Sequence, residues 1–426
     1  MLETVSENTQ FLKIFRITSG IKMSVDIFAG KKIILGISGG VAAYKTPFLI
    51  RELKKRGSEV KVVMTPSAAE FVTPLTLSTL SGNEVIVNTF PQSQKKGVNL
   101  STWHIDTALW ADLMILAPAT INTVAKIAGG FADNALTALI AALRCPLLVV
   151  PSADVDMYQN KLTQRNFNTL KEAGYYILEA EEGELASGLI GKGRFPEIEK
   201  ILNQVELMLL GYKRDFENKK ILISAGPTYE DIDPVRFIGN RSSGKMGYEL
   251  AKAAYLRGAD VTLVSGFSHE HAFPEIKLLK VRSAEEMKKS IEKEFSRNEI
   301  LIMSAAVADY KPVSFNNKKI KKEDKFSSIN VKKTEDILKS LDKMGKITIG
   351  FALETEDELR NAANKLKAKN LDMIILNSLK SPDSGFEVDT NQITIIHKSG
   401  NQLKYPLLSK FQAANKILSE ILIIEK

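Results

Sequence analysis

The chain has 426 residues, too many for one ordinary core, so two domains are expected. With 44% hydrophobic and 25% charged residues and only strand-sized apolar runs it reads as globular, with no membrane partner, and its net charge of +8, spread over many lysines, suits small anionic ligands at least as well as nucleic acid, which is not an expected partner. One cysteine, Cys145, excludes an internal disulfide and a cysteine metal cluster, and the four histidines lack zinc spacing, so no metal ligand set can be named.

Residues 1–30 lack the apolar core of a signal peptide and are expected to be a disordered extension, with Met23 an alternative start and a cytoplasmic location. From Lys31 the chain reads KKIILGISGGVAAYK, a strand Lys32–Ile37 and then a glycine turn. A helix from about Ala43 to Arg56 and strand Val60–Met64 follow. Next come strand Leu113–Ala117, helix Asn122–Ala128 and strand Leu147–Val150, with Cys145 packed at the entry to the last. Short apolar runs alternating with helices predict parallel βαβ units and an open, helix-covered sheet. A glycine-rich irregular segment, 179–196, leads to a short helix Ile201–Leu210, and 211–218 is a polar linker.

The chain restarts at Lys219 with KKILISAGPTYEDIDP and strand Ile221–Ser224. A helix Lys245–Arg257 stops at Gly258, and strands are expected at Val261–Val264, Ile300–Ser304, Ile347–Phe351 and Met373–Leu376. Glu354–Lys369 reads as helix, and Gln392–His397 with Gln402–Tyr405 as a hairpin around Ser399 and Gly400. The fold class is therefore α/β, with two Rossmann-like domains of mainly parallel sheet over 31–210 and 219–426.

In the first half, Ser38, Gly39 and Gly40 form a turn whose backbone N–H groups could hold a phosphate. Alone, this reads equally well as a structural βα turn. Four further strings follow in order: VVMTPSAAEFV, TWHIDTALWADLMILAPATINTVAKIAGGFADN, VPSADVDMY and GELASGLIGKGR. With them, residues 31 to about 200 resemble the flavin-dependent cysteine decarboxylases, which bind FMN on a Rossmann-like sheet. The resemblance implies oxidation of a cysteine moiety at FMN to a thioaldehyde, loss of carbon dioxide, and reduction and protonation of the enethiolate. It implies His104 as the base, since a neutral imidazole suits proton abstraction at about pH 7. It also implies Ser38, Gly39, Thr65, Thr120 and Asn122 as FMN contacts and Arg194 as a substrate contact. Two catalytic positions depart from that family. Asp154 replaces the asparagine of PxMNxxMY, and an ionised Asp154 would repel a substrate carboxylate unless protonated or bridged by a cation. Ser187 replaces the cysteine of the flap pattern ACGxxGxGR, so the final protonation should be slower or use another donor.

In the second half, ISAGPTYEDIDPVRFIGNRSSGKMG puts Ser242, Ser243 and Gly244 before Lys245, where the serines should supply N-cap hydroxyls. SSGK lacks the upstream spacing of a P-loop. With SAAVADY, KKIKK and GFALET, the stretch from Lys219 to the C-terminus resembles phosphopantothenate–cysteine ligase. That implies CTP and Mg2+, an acyl-cytidylate, and displacement of CMP by the cysteine amine. Asn240 is then the contact to the acyl intermediate and Lys319 the cation on the transferring phosphate. Ala305, Asp309, Lys319, Phe351, Lys365 and Lys369 are implied nucleotide contacts, and Arg236 an anion contact. The family's asparagine and proline are replaced in Lys333-Thr334-Glu335-Asp336-Ile337.

As a whole the chain resembles the bacterial bifunctional phosphopantothenoylcysteine decarboxylase/phosphopantothenate–cysteine ligase of coenzyme A biosynthesis. The resemblance implies a homo-oligomer of trimeric flavin halves and dimeric ligase halves, up to a dodecamer. One alternative keeps the ligase and makes the first half a flavin-binding, oligomerising module without turnover. Another, a nicotinamide-dependent oxidoreductase, would need GxGxxG and an acidic residue after the second strand, where Thr65 and Pro66 stand.

Overall fold

The computed structural model describes residues 27–90, 102–321, 328–354, 356–378 and 388–424. The expected extension therefore lies, apart from residues 27–30, outside the described residues, as do Lys322 and Phe326 of the basic cluster and Thr355 of GFALET.

The first sheet comprises β1 (Lys32–Ile37), β2 (Glu59–Met64), β3 (Val85–Ile86), β4 (Leu113–Ala119), β5 (Leu147–Pro151) and β6 (Tyr176–Ile177). All pair in parallel, in the order β3-β2-β1-β4-β5-β6. Strand β1 is buried beyond Lys32 because helices cover both faces, which is why it reads as an unbroken apolar run. The single helix expected after it is in fact a 3-10 turn, Val41–Lys45, followed by an α-helix, Thr46–Lys55. Pro47 falls in the first turn of that α-helix, where its missing N–H leaves no bond unmade.

The segment expected to be irregular contains an antiparallel hairpin, β7 (Glu181–Glu184) and β8 (Ile190–Arg194). Its glycines hide it from β-propensity but let it lie against the loop after β5. A Cβ on Gly193 would stand 2.2 Å from the Ala153 carbonyl oxygen, and one on Gly191 2.6 Å from Val155 Cγ2. The next helix, Ile198–Leu209, is covered on its polar side as well as its apolar side, with Lys200, Asn203, Gln204 and Glu206 all buried. It lies between the two halves. The polar segment 211–218 is docked rather than free: Phe216 is fully buried, and Arg257 makes two 2.8 Å bonds to the Asp215 carboxylate.

The second sheet starts with β9 (Lys220–Ala225), and β10 (Tyr229–Asp231) with β11 (Phe237–Gly239) forms an antiparallel ribbon beside it. Strands β12 (Asp260–Ser265), β13 (Lys277–Lys280) and β14 (Ile300–Met303) follow, then a second ribbon, β15 (Tyr310–Pro312) and β16 (Val331–Lys333). The sheet is completed by β17 (Ile347–Glu354), β18 (Met373–Ser378), β19 (Thr390–His397) and β20 (Gln402–Ser409). Its order is β13-β12-β9-β14-β17-β18-β19-β20, parallel as far as β18 and antiparallel over the last two strands. Six strands thus repeat the winding order of the first sheet. The expected α/β class with two Rossmann-like sheets is what the chain adopts. One continuous core, including Leu35, Leu202, Val205, Ile223 and Ile417, joins the facing sides of the sheets. Separate clusters cover their outer sides.

Candidate active sites

In a doubly wound sheet the strand order reverses beside the first strand, and the loops at the carboxyl ends part there to leave a crevice. Beside β1 this crevice is a cavity of about 900 Å3. Its floor is built from the turns after four strands: Gly39 and Gly40 after β1, Thr65 and Ser67 after β2, Thr120 and Asn122 after β4, and Ser152 to Asp154 after β5. Glycine is required at position 39, where a Cβ would approach Ser67 Oγ to 2.5 Å. Thr120 caps the helix Ile121–Ala128, and on the walls Lys45, Lys126 and Arg194 are balanced by Asp133, Asp154 and Glu184, with Lys126 paired to Asp133. The β7–β8 hairpin forms the lid through Glu184, Leu185, Ala186 and Gly193, and the Gly193 carbonyl accepts from Ala153 N at 3.1 Å and Ser152 Oγ at 3.2 Å.

Gly39, Thr65, Thr120, Asn122, Asp154 and Arg194 come together in this lining. Ser38 lies beneath it, fully buried, its hydroxyl donating to the Pro118 carbonyl at 2.7 Å and accepting from Thr120 N at 2.8 Å. It ties β1 to β4 and is not among the lining residues. His104 is also absent from the lining: it sits at the start of the helix Trp103–Trp110, edge-on to Trp103. The two departures from the family pattern meet each other, since the Ser187 hydroxyl donates to the Asp154 carboxylate. That proton is engaged by an acceptor, and the carboxylate thereby holds the tip of the lid.

The same reversal of strand order places the second switch point beside β9. Gly226 adopts φ +74° after β9, and a Cβ on Gly266 would overlap the Pro227 carbonyl oxygen at 1.9 Å, so both turns need glycine. The expected serine N-caps are replaced by Gly244, left-handed at φ +82°, as the cap of the helix Lys245–Leu256. Ser242 and Ser243 instead accept from Gly244 N and Lys245 N, because the chain turns too sharply there for a side chain at the cap itself. Lys245 is ion-paired with Asp389.

Around the loop after β14, Asn240 Nδ2 donates to the Val307 carbonyl at 2.9 Å and Ala305 N donates to Ser224 Oγ at 3.1 Å. Asp309 is exposed and Phe351 half-buried. Burial, then the neighbouring Lys369 charge, pushes Lys365 below the usual lysine value, while Glu354, Asp309 and Asp336 oppose that shift. Burial would raise the Asp336 carboxyl, but the Lys369 ammonium at 2.9 Å outweighs it and holds it low. Asp309, Lys365 and Lys369 therefore share one electrostatic neighbourhood with Asp336, which sequence reasoning had not singled out. Lys319 is exposed, on a loop pinned from beside it. Ile320 N donates to Asp233 Oδ2 at 3.2 Å, and Arg236 Nη2 donates to the Ile320 carbonyl at 3.0 Å. Arg236 thus braces the Lys319 loop. Asp233, buried, also accepts from Val235 N and Arg236 N. An Asp-Pro turn was the available sign of it. Among the described residues no cluster of three or more His, Cys, Asp or Glu could hold a metal, and no helix is long and apolar enough to cross a membrane.

Residues 26–209 match the family model Flavoprotein, and residues 216–424 match DNA/pantothenate metabolism flavoprotein C-terminal domain. The chain is 41% identical over 400 residues to coenzyme A biosynthesis bifunctional protein CoaBC of Bacillus subtilis, covering 93% of this chain and 98% of that protein. It is 46% identical over 360 residues to a cysteine/cysteine sulfinic acid decarboxylase of an unknown prokaryotic organism, covering 83% of this chain and 99% of that protein. A crystal structure of the C-terminal domain of a CoaBC protein matches at 38% identity with TM-score 0.43, over 49% of this chain and 97% of that one.

Proposed function

This chain belongs to the CoaBC family of coenzyme A biosynthesis bifunctional proteins, and we propose that it ligates cysteine to 4'-phosphopantothenate with CTP and then decarboxylates the product to 4'-phosphopantetheine. The observation that carries the reading is the cavity at the first switch point, flanked by a hairpin whose glycines fit it against the loop after β5.

The cavity suits FMN: its volume is that of a cofactor site, and Gly39 opens a cradle that a Cβ would fill. Gly39, Gly40, Thr65, Thr120 and Asn122 would hold the group through backbone N–H, hydroxyl and amide donors. Bound there, FMN supplies the two-electron oxidation and reduction that make carbon dioxide loss feasible. The protein's part is to seat the substrate under the lid, with Arg194 offering its guanidinium to an anion. Asp154 faces that substrate as a carboxylate already accepting one hydrogen bond, so part of its charge is spent on Ser187. His104 is not among the residues that line the cavity of its own chain, and assembly of the flavin halves into trimers would be a route by which it reaches a substrate as the base. The rival module without turnover is not favoured, because the chain matches bifunctional CoaBC proteins across both of its halves.

In the second half, phosphorus charge builds as the cytidylate forms and carbonyl-oxygen charge as the amine attacks, so cations and amide donors are needed. Lys319 would meet the phosphate, with Asn240 at the acyl group and Ala305, Asp309, Phe351, Lys365 and Lys369 around the nucleotide. Mg2+ would travel on the triphosphate, a common mode for that ion. Lys319→Gln should abolish pyrophosphate release and with it ligation, and Asn240→Ala should abolish ligation at the conversion of the acyl intermediate, while FMN stays bound in both. Retained ligation in both variants would refute these assignments.

A further inference from the structure

Helix Ile198–Leu209 carries a lysine that neither reaction uses. Lys200 is fully buried, yet it is flanked by carboxylates from opposite halves of the chain: Glu275 Oε1 at 2.6 Å and Glu181 Oε1 at 3.8 Å. Its ammonium also lies 5.1 Å from the ring centre of Tyr255 and 5.4 Å from that of Phe273. Tyr255 sits on the helix Lys245–Leu256, whose amino end lies at the second switch point, while Glu275 and Phe273 lie between β12 and β13. A buried ammonium is costly unless it is paired. Here each half supplies one carboxylate, so neither half alone completes the pairing.

Glu181 is the first residue of β7 and so the base of the lid. It is buried, and besides facing Lys200 it accepts from Glu197 N at 3.3 Å. Glu197 in turn pairs with Arg194, which stands opposite Glu181 in the hairpin register and lines the cavity. A continuous set of ion pairs and hydrogen bonds therefore runs from Glu275 through Lys200 to both strands of the lid. Lys252 adds a second tie between the halves, 2.6 Å from Glu199 on the same helix.

We propose that Lys200 is the positioning residue through which the second half of the chain sets the lid over the first-half cavity. The proposal rests on the reading above only for what the lid covers. Placing the lid needs a fixed anchor because its glycines leave the hairpin little stiffness of its own. The second half provides that anchor through one ammonium. Decarboxylation by the first half should therefore depend on a residue, Glu275, that belongs to the other.

The test is hydrogen exchange at residues 185–189 in the full-length, FMN-loaded protein, compared with Lys200→Met, Glu275→Gln and Lys200→Arg. Met keeps the apolar stem packed, and Glu275→Gln changes a partly exposed side chain, so a folded variant is available if Lys200→Met fails. The expected result is lid exchange roughly tenfold faster in Lys200→Met and Glu275→Gln, with Lys200→Arg close to the unchanged protein. The KM of decarboxylation should rise with kcat nearly constant, and ligation should be unaffected. Unchanged lid exchange in both variants, or faster exchange confined to 198–209, would overturn the proposal. Faster lid exchange in a protein that releases no carbon dioxide would uphold the coupling and remove the decarboxylase reading instead.

Discussion

Gly39→Ala tests whether the first cavity is the flavin site. The new methyl group would lie 2.5 Å from Ser67 Oγ and 2.7 Å from the Ser67 carbonyl carbon. Carbon contacts normally settle at about 3.5–4.0 Å, so the overlap is close to an ångström. The hydroxyl can rotate away. The backbone carbon cannot, unless the 3-10 turn Pro66–Glu70 shifts and carries the Thr65–Ser67 wall of the cavity with it. Overpacking of this kind costs about 1–3 kcal/mol. If that strain falls on the cofactor-bound form, FMN affinity drops by about 5- to 150-fold. Gly40→Ala is the matched control, because its Cβ would meet only Thr120 Cγ2 at 3.2 Å and should weaken binding less. The assay strips the flavin, confirms the fold by circular dichroism and retitrates FMN by fluorescence. Binding in Gly39→Ala within twofold of the unchanged protein, or a larger loss in Gly40→Ala, would refute the reasoning.

Ser187→Cys supplies a thiol, a stronger acid than the hydroxyl, and should lower the share of oxidised enethiol among the products. An unchanged product ratio would mean that the final proton comes from elsewhere. Asp154→Asn removes the charge facing a substrate carboxylate and should reduce KM by about fivefold with FMN affinity unaltered; a higher KM would contradict that role. Arg257→Met strips the cation from Asp215 and two further bonds, to the Asn415 carbonyl and Ser419 Oγ, in a site where the arginine is 1% exposed. Breaking a buried pair costs about 3–5 kcal/mol, and the partial exposure of Asp215 trims this to roughly 2–4, readable as a lower urea midpoint with faster proteolysis at 211–218. Burial pushes the Cys145 thiol up to about 11. At about pH 8 the thiolate is then roughly one part in a thousand, so native alkylation should be far slower than in urea; equal rates would contradict the burial.

The parallel strands could be read from the sequence because their burial on both faces leaves continuous apolar runs, as in β1 and β9. The lid hairpin could not, since β8 is Ile-Gly-Lys-Gly-Arg and its glycines serve a close approach visible only once the loop after β5 is in place. The helix Ile198–Leu209 was legible, but its position between the halves was not, because Lys200, Gln204 and Glu206 look like a solvated face until the second half covers them. At the sites, turn residues such as Gly39, Thr65 and Thr120 could be placed because strand order brings the turns together. Ser38 reads like its neighbours in the turn yet points into the sheet. The Asp154–Ser187 contact joins residues far apart in the chain, and Asp233 serves a loop carrying Ile320, so neither pairing follows from local pattern.

The central claim is that one chain performs both steps on one substrate. The direct test incubates the purified, FMN-loaded protein with 4'-phosphopantothenate, carboxyl-13C cysteine, CTP and Mg2+, and follows products by mass. The account predicts pyrophosphate and CMP, then phosphopantothenoylcysteine, then its decarboxylated form, with labelled carbon dioxide appearing only when every substrate is present. Pyrophosphate without labelled carbon dioxide would contradict the decarboxylase half. Labelled carbon dioxide from cysteine alone would contradict the assigned substrate.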